Sequence, residues 1–142
     1  MRNDKKSKYR VVIVDDSRAA QYIIENAFNG RSEFEVVGVA SDAIEGENMI
    51  RSLAPDVVTI DLLMPYIDGS KFLAKFEHRK DICKIIISDN VSNIALVSNL
   101  KSAGATLCLS KTMLAVDRNV FFKKIAVELK KIESDETNRG WI

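Results

Sequence analysis

The stretch Asp56-Val57-Val58-Thr59-Ile60-Asp61-Leu62-Leu63-Met64-Pro65 decides how this chain is read. Residues 57–60 are all β-branched and lack polar alternation, the pattern of a strand buried on both faces of a parallel sheet. Asp61 ends that strand. In open α/β sheets ligands gather beyond the carboxyl ends of the strands, so a carboxylate delivered there is a candidate nucleophile. Pro65 lacks the N–H that a ladder needs, and the Asp68-Gly69 pair turns the chain. The competing reading is an ordinary strand-ending aspartate, and the rest of the chain decides between the two.

Outward from this stretch, strands and helices alternate. Tyr9 to Val14 is another β-branched run, and it stops at Asp15-Asp16-Ser17. Ala20, Ile23, Ile24, Ala27 and Phe28 then repeat at helical spacing, with Asn29-Gly30 as a stop. Phe34 to Val39 predicts a second strand. Asp42 with Glu45 three residues on predicts a capping box opening a helix that carries Ile44, Met49, Ile50 and Leu53 and ends at Pro55. Downstream, the patterns predict a helix over 70–78, a strand over 82–87 ending at Ser88, a helix over 92–103, a strand over 106–109 ending at Ser110-Lys111, and a helix over about 114–132. Ile94, Leu96, Val97 and Leu100 give the fourth helix a wider apolar arc than one sheet contact requires. Strands alternating with helices over short loops argue for a doubly wound parallel sheet with helices on both faces, an α/β fold.

With 142 residues the chain is one domain's worth of sequence, enough to bury roughly 68–70% of its unfolded surface without staples. Residues 1–8 read as a polar, flexible leader, 9–132 as the folded domain and 133–142 as a polar C-terminal tail holding the single tryptophan, Trp141. The net charge of +1 announces neither nucleic acid nor an anionic membrane. With no apolar run of ~20 residues and no signal-peptide pattern, the expected location is cytoplasmic. Cys83 and Cys108 lie inside apolar runs without metal-ligand spacing and read as reduced core thiols.

The topology collects Asp15, Asp16, Asp61, Ser88 and Lys111 at one edge of the sheet. Two carboxylates ~4 Å apart at an effective dielectric of ~20 repel by about 4 kcal/mol, so the cluster calls for cations. Lys111 supplies one charge, and a hard divalent ion such as Mg²⁺ suits the rest; protonation of one aspartate is the other relief. The set fits phosphoryl transfer to a carboxylate: Asp61 attacks phosphorus, Asp16 and Asp61 hold the metal with Asp15 direct or through water, and Ser88 and Lys111 bind phosphoryl oxygens.

These residues resemble the response-regulator receiver domain of two-component signalling, including its single-domain chemotaxis type. The resemblance runs from about Tyr9 to Ile132 and rests on Val11-Val12-Ile13-Val14-Asp15-Asp16-Ser17, on Asp61-Leu62-Leu63-Met64-Pro65 with Gly69, on Ser88, and on Ala103-Gly104-Ala105 leading to Lys111. It implies a flavodoxin-like sheet of order 2-1-3-4-5 and Asp61 as phosphoacceptor. It also implies a Mg²⁺ site of Asp15, Asp16, Asp61 and the Leu63 backbone carbonyl, and a histidine kinase or histidine phosphotransfer protein as donor.

Four positions depart from the family pattern. Cys108 stands where a switch aromatic is common, Thr112 where proline is usual, Asp89 where a small residue is common, and Leu63 is apolar where a polar side chain can position water. Asp89 is expected to slow small phosphodonors and Leu63 to prolong the phosphoryl group. The expected function is a stand-alone phosphorylation switch, not an enzyme beyond making and losing its own aspartyl phosphate. It signals to an output protein at helix 4, strand 5 and helix 5, as a monomer or weak homodimer, with no nucleic acid or membrane partner. The alternative is a phosphorylation-independent interaction module. A flavodoxin-like FMN protein fits poorly, because Asp15-Asp16 would repel a phosphate, and no second motif supports a hydrolase.

Overall fold

A computed structural model describes residues 8–64, 68–89 and 93–139, with side chains through Asp135. The elements run β1 (Tyr9–Val14), α1 (Arg18–Asn29), β2 (Phe34–Ala40), α2 (Ala43–Leu53), β3 (Val57–Asp61), α3 (Gly69–Ala74), β4 (Cys83–Ser88), α4 (Ile94–Ser102), β5 (Leu107–Ser110), α5 (Lys111–Val116) and α6 (Arg118–Arg139). The strands form one parallel sheet of order β2-β1-β3-β4-β5. This is the doubly wound α/β fold read from the sequence. β3 lies at its centre, and all five of its residues are buried.

Side chains of β1 alternate between two cores, as the period of a strand requires. Val11 and Ile13 join Ile24, Ala27 and Phe28 of α1 and Leu114, Phe121, Phe122, Ile125 and Leu129 of α5 and α6. Val12 and Val14 join Ile50 of α2, Phe72 and Leu73 of α3 and Leu100 of α4. Helices therefore cover both faces, and the sheet is the wall between the two cores. At Gly46 an added Cβ would sit 2.9 Å from Val14 Cγ2, so glycine is what lets α2 lie against β1. Gly104, at φ +123°, turns the chain from α4 into β5 in a conformation that side chains resist.

Local signals explain the helix boundaries. Ser17 Oγ accepts from Ala20 N, and Asp42 Oδ1 accepts from Glu45 N while Glu45 Oε1 accepts from Ser41 N, the reciprocal capping box. Two helices differ from expectation. The helix expected over 70–78 is regular only to Ala74, beyond which the chain tightens into i→i+3 turns such as Phe76 N to Leu73 O and Arg79 N to Phe76 O. The helix expected over 114–132 is two: Ser110 caps α5 at Met113 N, starting it three residues early, and Asp117, at φ −142° and ψ 58°, separates it from α6. α6 then runs to Arg139, carrying helix into the stretch read as a tail. Residues 1–7 of the leader, Pro65, the Ser92 helix start and Trp141 lie outside the described residues. Among the described residues no helix is long and apolar enough to cross a membrane.

The charged residue inside the β4 run is buried. Lys84 Nζ donates to Phe76 O at 2.9 Å, and burial holds its pKa below the ordinary value. A lysine depressed in the folded state binds fewer protons there than in the unfolded chain, so its penalty is full at neutral pH and fades as pH rises toward the ordinary lysine value. Phe76 O keeps its bond from Arg79 N without Lys84. Lys84→Met is accordingly expected to stabilise the fold by about 1 kcal/mol at pH 7, with less gain at pH 10. Urea unfolding at the two pH values checks this; a loss of stability at pH 7 would contradict it.

Candidate functional site

Three strand ends and the start of α5 meet at the carboxyl edge of the sheet. Asp15 follows β1 and is buried; Asp16 beside it is exposed; Asp61 is the last residue of β3 and is 5% exposed. Ligand oxygens of these three carboxylates lie within 4.8 Å of one another. Lys111, which opens α5, places Nζ 3.8 Å from Asp61 Oδ2. Ser88 ends β4, buried one position beyond the residue paired with Asp61. Every side chain nominated from the sequence is therefore at this edge.

The backbone holds these groups in place. Asp15 Oδ1 accepts from Ser17 N at 2.8 Å, which turns the chain into α1. Asp61 Oδ1 accepts from Leu63 N at 3.0 Å, which folds the next turn back over the carboxylate. Asp15 Oδ2 is buried and has no hydrogen-bond partner. Burial raises the Asp15 pKa to about 6; the Ser17 N–H opposes this, the Asp61 charge adds to it, Lys111 opposes and Asp16 adds. A buried carboxylate oxygen without a partner, on a residue grouped with two further carboxylates, fits a hard divalent cation taking oxygen ligands, and Asp15, Asp16 and Asp61 are the residues able to hold one.

A pH dependence follows. In the metal-free protein the raised pKa makes the folded state bind more protons than the unfolded chain between about pH 4 and 6, so the stability Asp15 contributes is lost as pH rises through about 6. A divalent ion needs the ionised form, so its affinity weakens as pH falls through the same value. The rise in Tm given by Mg²⁺ is expected to shrink between pH 7.5 and pH 5. An unchanged rise would contradict this, because ordinary carboxylates stay ionised across that range.

The departures from the family pattern are also located. Cys108 is half-buried on β5, beside the core under α4, and burial raises its thiol pKa; Cys83 is buried and pushed up to about 12. Both thiols are free, as expected. The Lys111–Thr112 peptide is trans. Leu63 is 63% exposed, and Asp89 is exposed beside Ser88. On α4, Ile94 is 83% exposed and lines a shallow groove with Val97, Ser98, Lys101 and Ser102. Gln21, which belongs to no motif, reaches this edge too: its Nε2 donates to Asp15 O at 2.6 Å and to Ser41 Oγ at 3.2 Å. Only helical phase points to it, one turn after the Ser17 cap and on the side facing the acidic turn.

Residues 11–124 match the family model of the response regulator receiver domain. The chain belongs to that family. It is 38% identical over 103 residues, 72% of its length, to protein-glutamate methylesterase/protein-glutamine glutaminase 1 of Caulobacter vibrioides, covering 27% of that protein. The chain spans about a quarter of the length of the curated relatives it matches. Among solved structures it resembles a CheY-like receiver domain protein from Methanospirillum hungatei, with a TM-score of 0.76 and 25% identity, covering 91% of this chain and 99% of that one. It also resembles the CheX-CheY-BeF3-Mg²⁺ complex of Borrelia burgdorferi, with a TM-score of 0.71 and 27% identity, covering 82% and 86%. The receiver's acidic edge accordingly fits Mg²⁺ and an aspartyl phosphate.

Proposed function

We propose that this receiver accepts a phosphoryl group on Asp61 from a histidine kinase or histidine phosphotransfer protein. The observation carrying this reading is the orphaned, buried oxygen of Asp15 set against Asp61, with Lys111 alongside. Asp61 Oδ attacks phosphorus as the P–N bond to the donor nitrogen breaks, and that nitrogen takes up a proton. Asp15, Asp16, Asp61 and the Leu63 backbone carbonyl hold Mg²⁺, which when bound neutralises charge on the phosphoryl oxygens. Ser88 and Lys111 bind the remaining oxygens, and those new contacts bias a pre-existing equilibrium of the domain.

The signal leaves by a protein contact on α4, β5 and the helices after it, where Ile94, Val97 and Lys101 present a mixed apolar and cationic surface. Cys108 offers no aromatic ring to rotate, so the signal leaves by a route other than a switch aromatic on β5. The chemistry proposed is confined to the chain's own aspartyl phosphate. The methylesterase and glutaminase activities belong to proteins of which this match covers about a quarter. The Borrelia complex, with Mg²⁺ and a second protein named in it, supports both the metal and a protein partner.

The test is intact mass after incubation with Mg²⁺ and phosphoramidate. One labile phosphoryl adduct is expected, lost on adding EDTA during the reaction and missing in Asp61→Asn; Asp89→Ala, which removes an anion beside the donor path, is expected to speed its formation. No adduct in either the wild type or Asp89→Ala would move the weight to a phosphorylation-independent interaction module.

A further inference from the structure

We propose that Gln21 is a positioning residue of the acidic site, its amide clamping the Asp15–Asp16 peptide so that both carboxylates converge on one cation. The proposal rests on the reading of this edge as a Mg²⁺ site. Asp15 is held at three points: its N–H donates to Ala40 O at 3.0 Å, its Oδ1 accepts from Ser17 N, and its carbonyl accepts from Gln21 Nε2 at 2.6 Å. The carbonyl bond fixes the plane of the peptide leading into Asp16. The Asp16 carboxylate is exposed, and the peptide held by that bond sets where its side chain leaves the backbone toward Asp15 and Asp61.

The second hydrogen of the same amide donates to Ser41 Oγ at 3.2 Å, and Ser41 N is itself tied to Glu45 Oε1 in the capping box of α2. Gln21 thus braces the acidic turn against the rigid start of a neighbouring helix. Groups that orient metal ligands from behind act on affinity, and their loss costs metal binding more than it costs the fold.

Calorimetric titration of the full chain with MgCl₂ tests this. In Gln21→Met the Mg²⁺ affinity is expected to fall about tenfold. Gln21→Arg, which keeps N–H donors at similar reach, is expected to restore most of it. At saturating Mg²⁺ the phosphoramidate rate of Gln21→Met should return to within about twofold of wild type, because only metal occupancy has been lost. Should Gln21→Met not fold, Ser41→Ala carries the test: it releases the same amide at an exposed residue, and a smaller loss in the same direction is expected, while unchanged affinity overturns the proposal. A lower Tm in EDTA with unchanged Mg²⁺ affinity, or equal losses in the Met and Arg variants, also overturns it. Absence of Mg²⁺ binding by the wild type would instead strike the proposed function itself.

Discussion

In Lys111→Met the rate of phosphorylation by phosphoramidate at saturating Mg²⁺ is expected to fall by about 10²-fold or more, the usual cost of removing a preorganised charge from a developing anion. At 3.8 Å from Asp61 Oδ2 the ammonium is beyond hydrogen-bond distance, a Coulombic neighbour able to swing onto an incoming phosphoryl oxygen. The same change should affect the metal in the opposite sense. Removing the positive charge beside three carboxylates leaves a more negative cluster, so Mg²⁺ is expected to bind more tightly while phosphoryl transfer slows. Lys111 also holds the Asp15 pKa down, so the acid loss of Mg²⁺ binding should move above about pH 6 in the variant. Slower transfer together with weaker Mg²⁺ binding would mean that Lys111 only braces the loop.

The largest effect on stability is expected at Phe28. Its ring is fully buried between α1 and α6, in edge contact with Phe34 and Phe122 at 5.1 Å each and with Phe121 at 6.3 Å. Phe28→Ala removes the hub of that cluster and should cost about 3–5 kcal/mol. For a chain of this size that lowers Tm by about 10–15 °C. Tyr22→Ala, on the same helix but 68% exposed, should stay within about 0.5 kcal/mol of wild type. Calorimetry of the pair checks the assignment. Comparable losses would mean that α1 owes its place to something other than its inward face.

The contrast between these two positions shows what the sequence makes legible. Helical spacing puts Phe28 on the inward stripe and leaves Tyr22 off it, as observed, but it also counts Ile23, which is half exposed at the margin of that stripe. The strands were readable because β-branched runs closed by polar residues have few other uses, and the site was readable because each strand end carries its own side chain. The C-terminal helices were less so: their apolar residues keep helical phase across Asp117, and the break comes from Ser110 capping a short helix that begins at Lys111. Lys84 and Gln21 were harder still. The burial of Lys84 follows from its place in a strand covered on both faces, and the reach of Gln21 spans two turns that only the folded chain brings together.

The hydroxyl of Tyr9 donates to Glu133 Oε2 at 2.7 Å across 124 positions of sequence. Tyr9 opens β1 and Asp15 follows its end, so this stitch lies roughly 20 Å from the acidic edge, the length of a six-residue strand. One rim of the sheet gathers the three carboxylates and the other fastens the last helix to the first strand. A fluorophore attached near Glu133 would report whether that helix stays seated, from a place well away from the acidic edge.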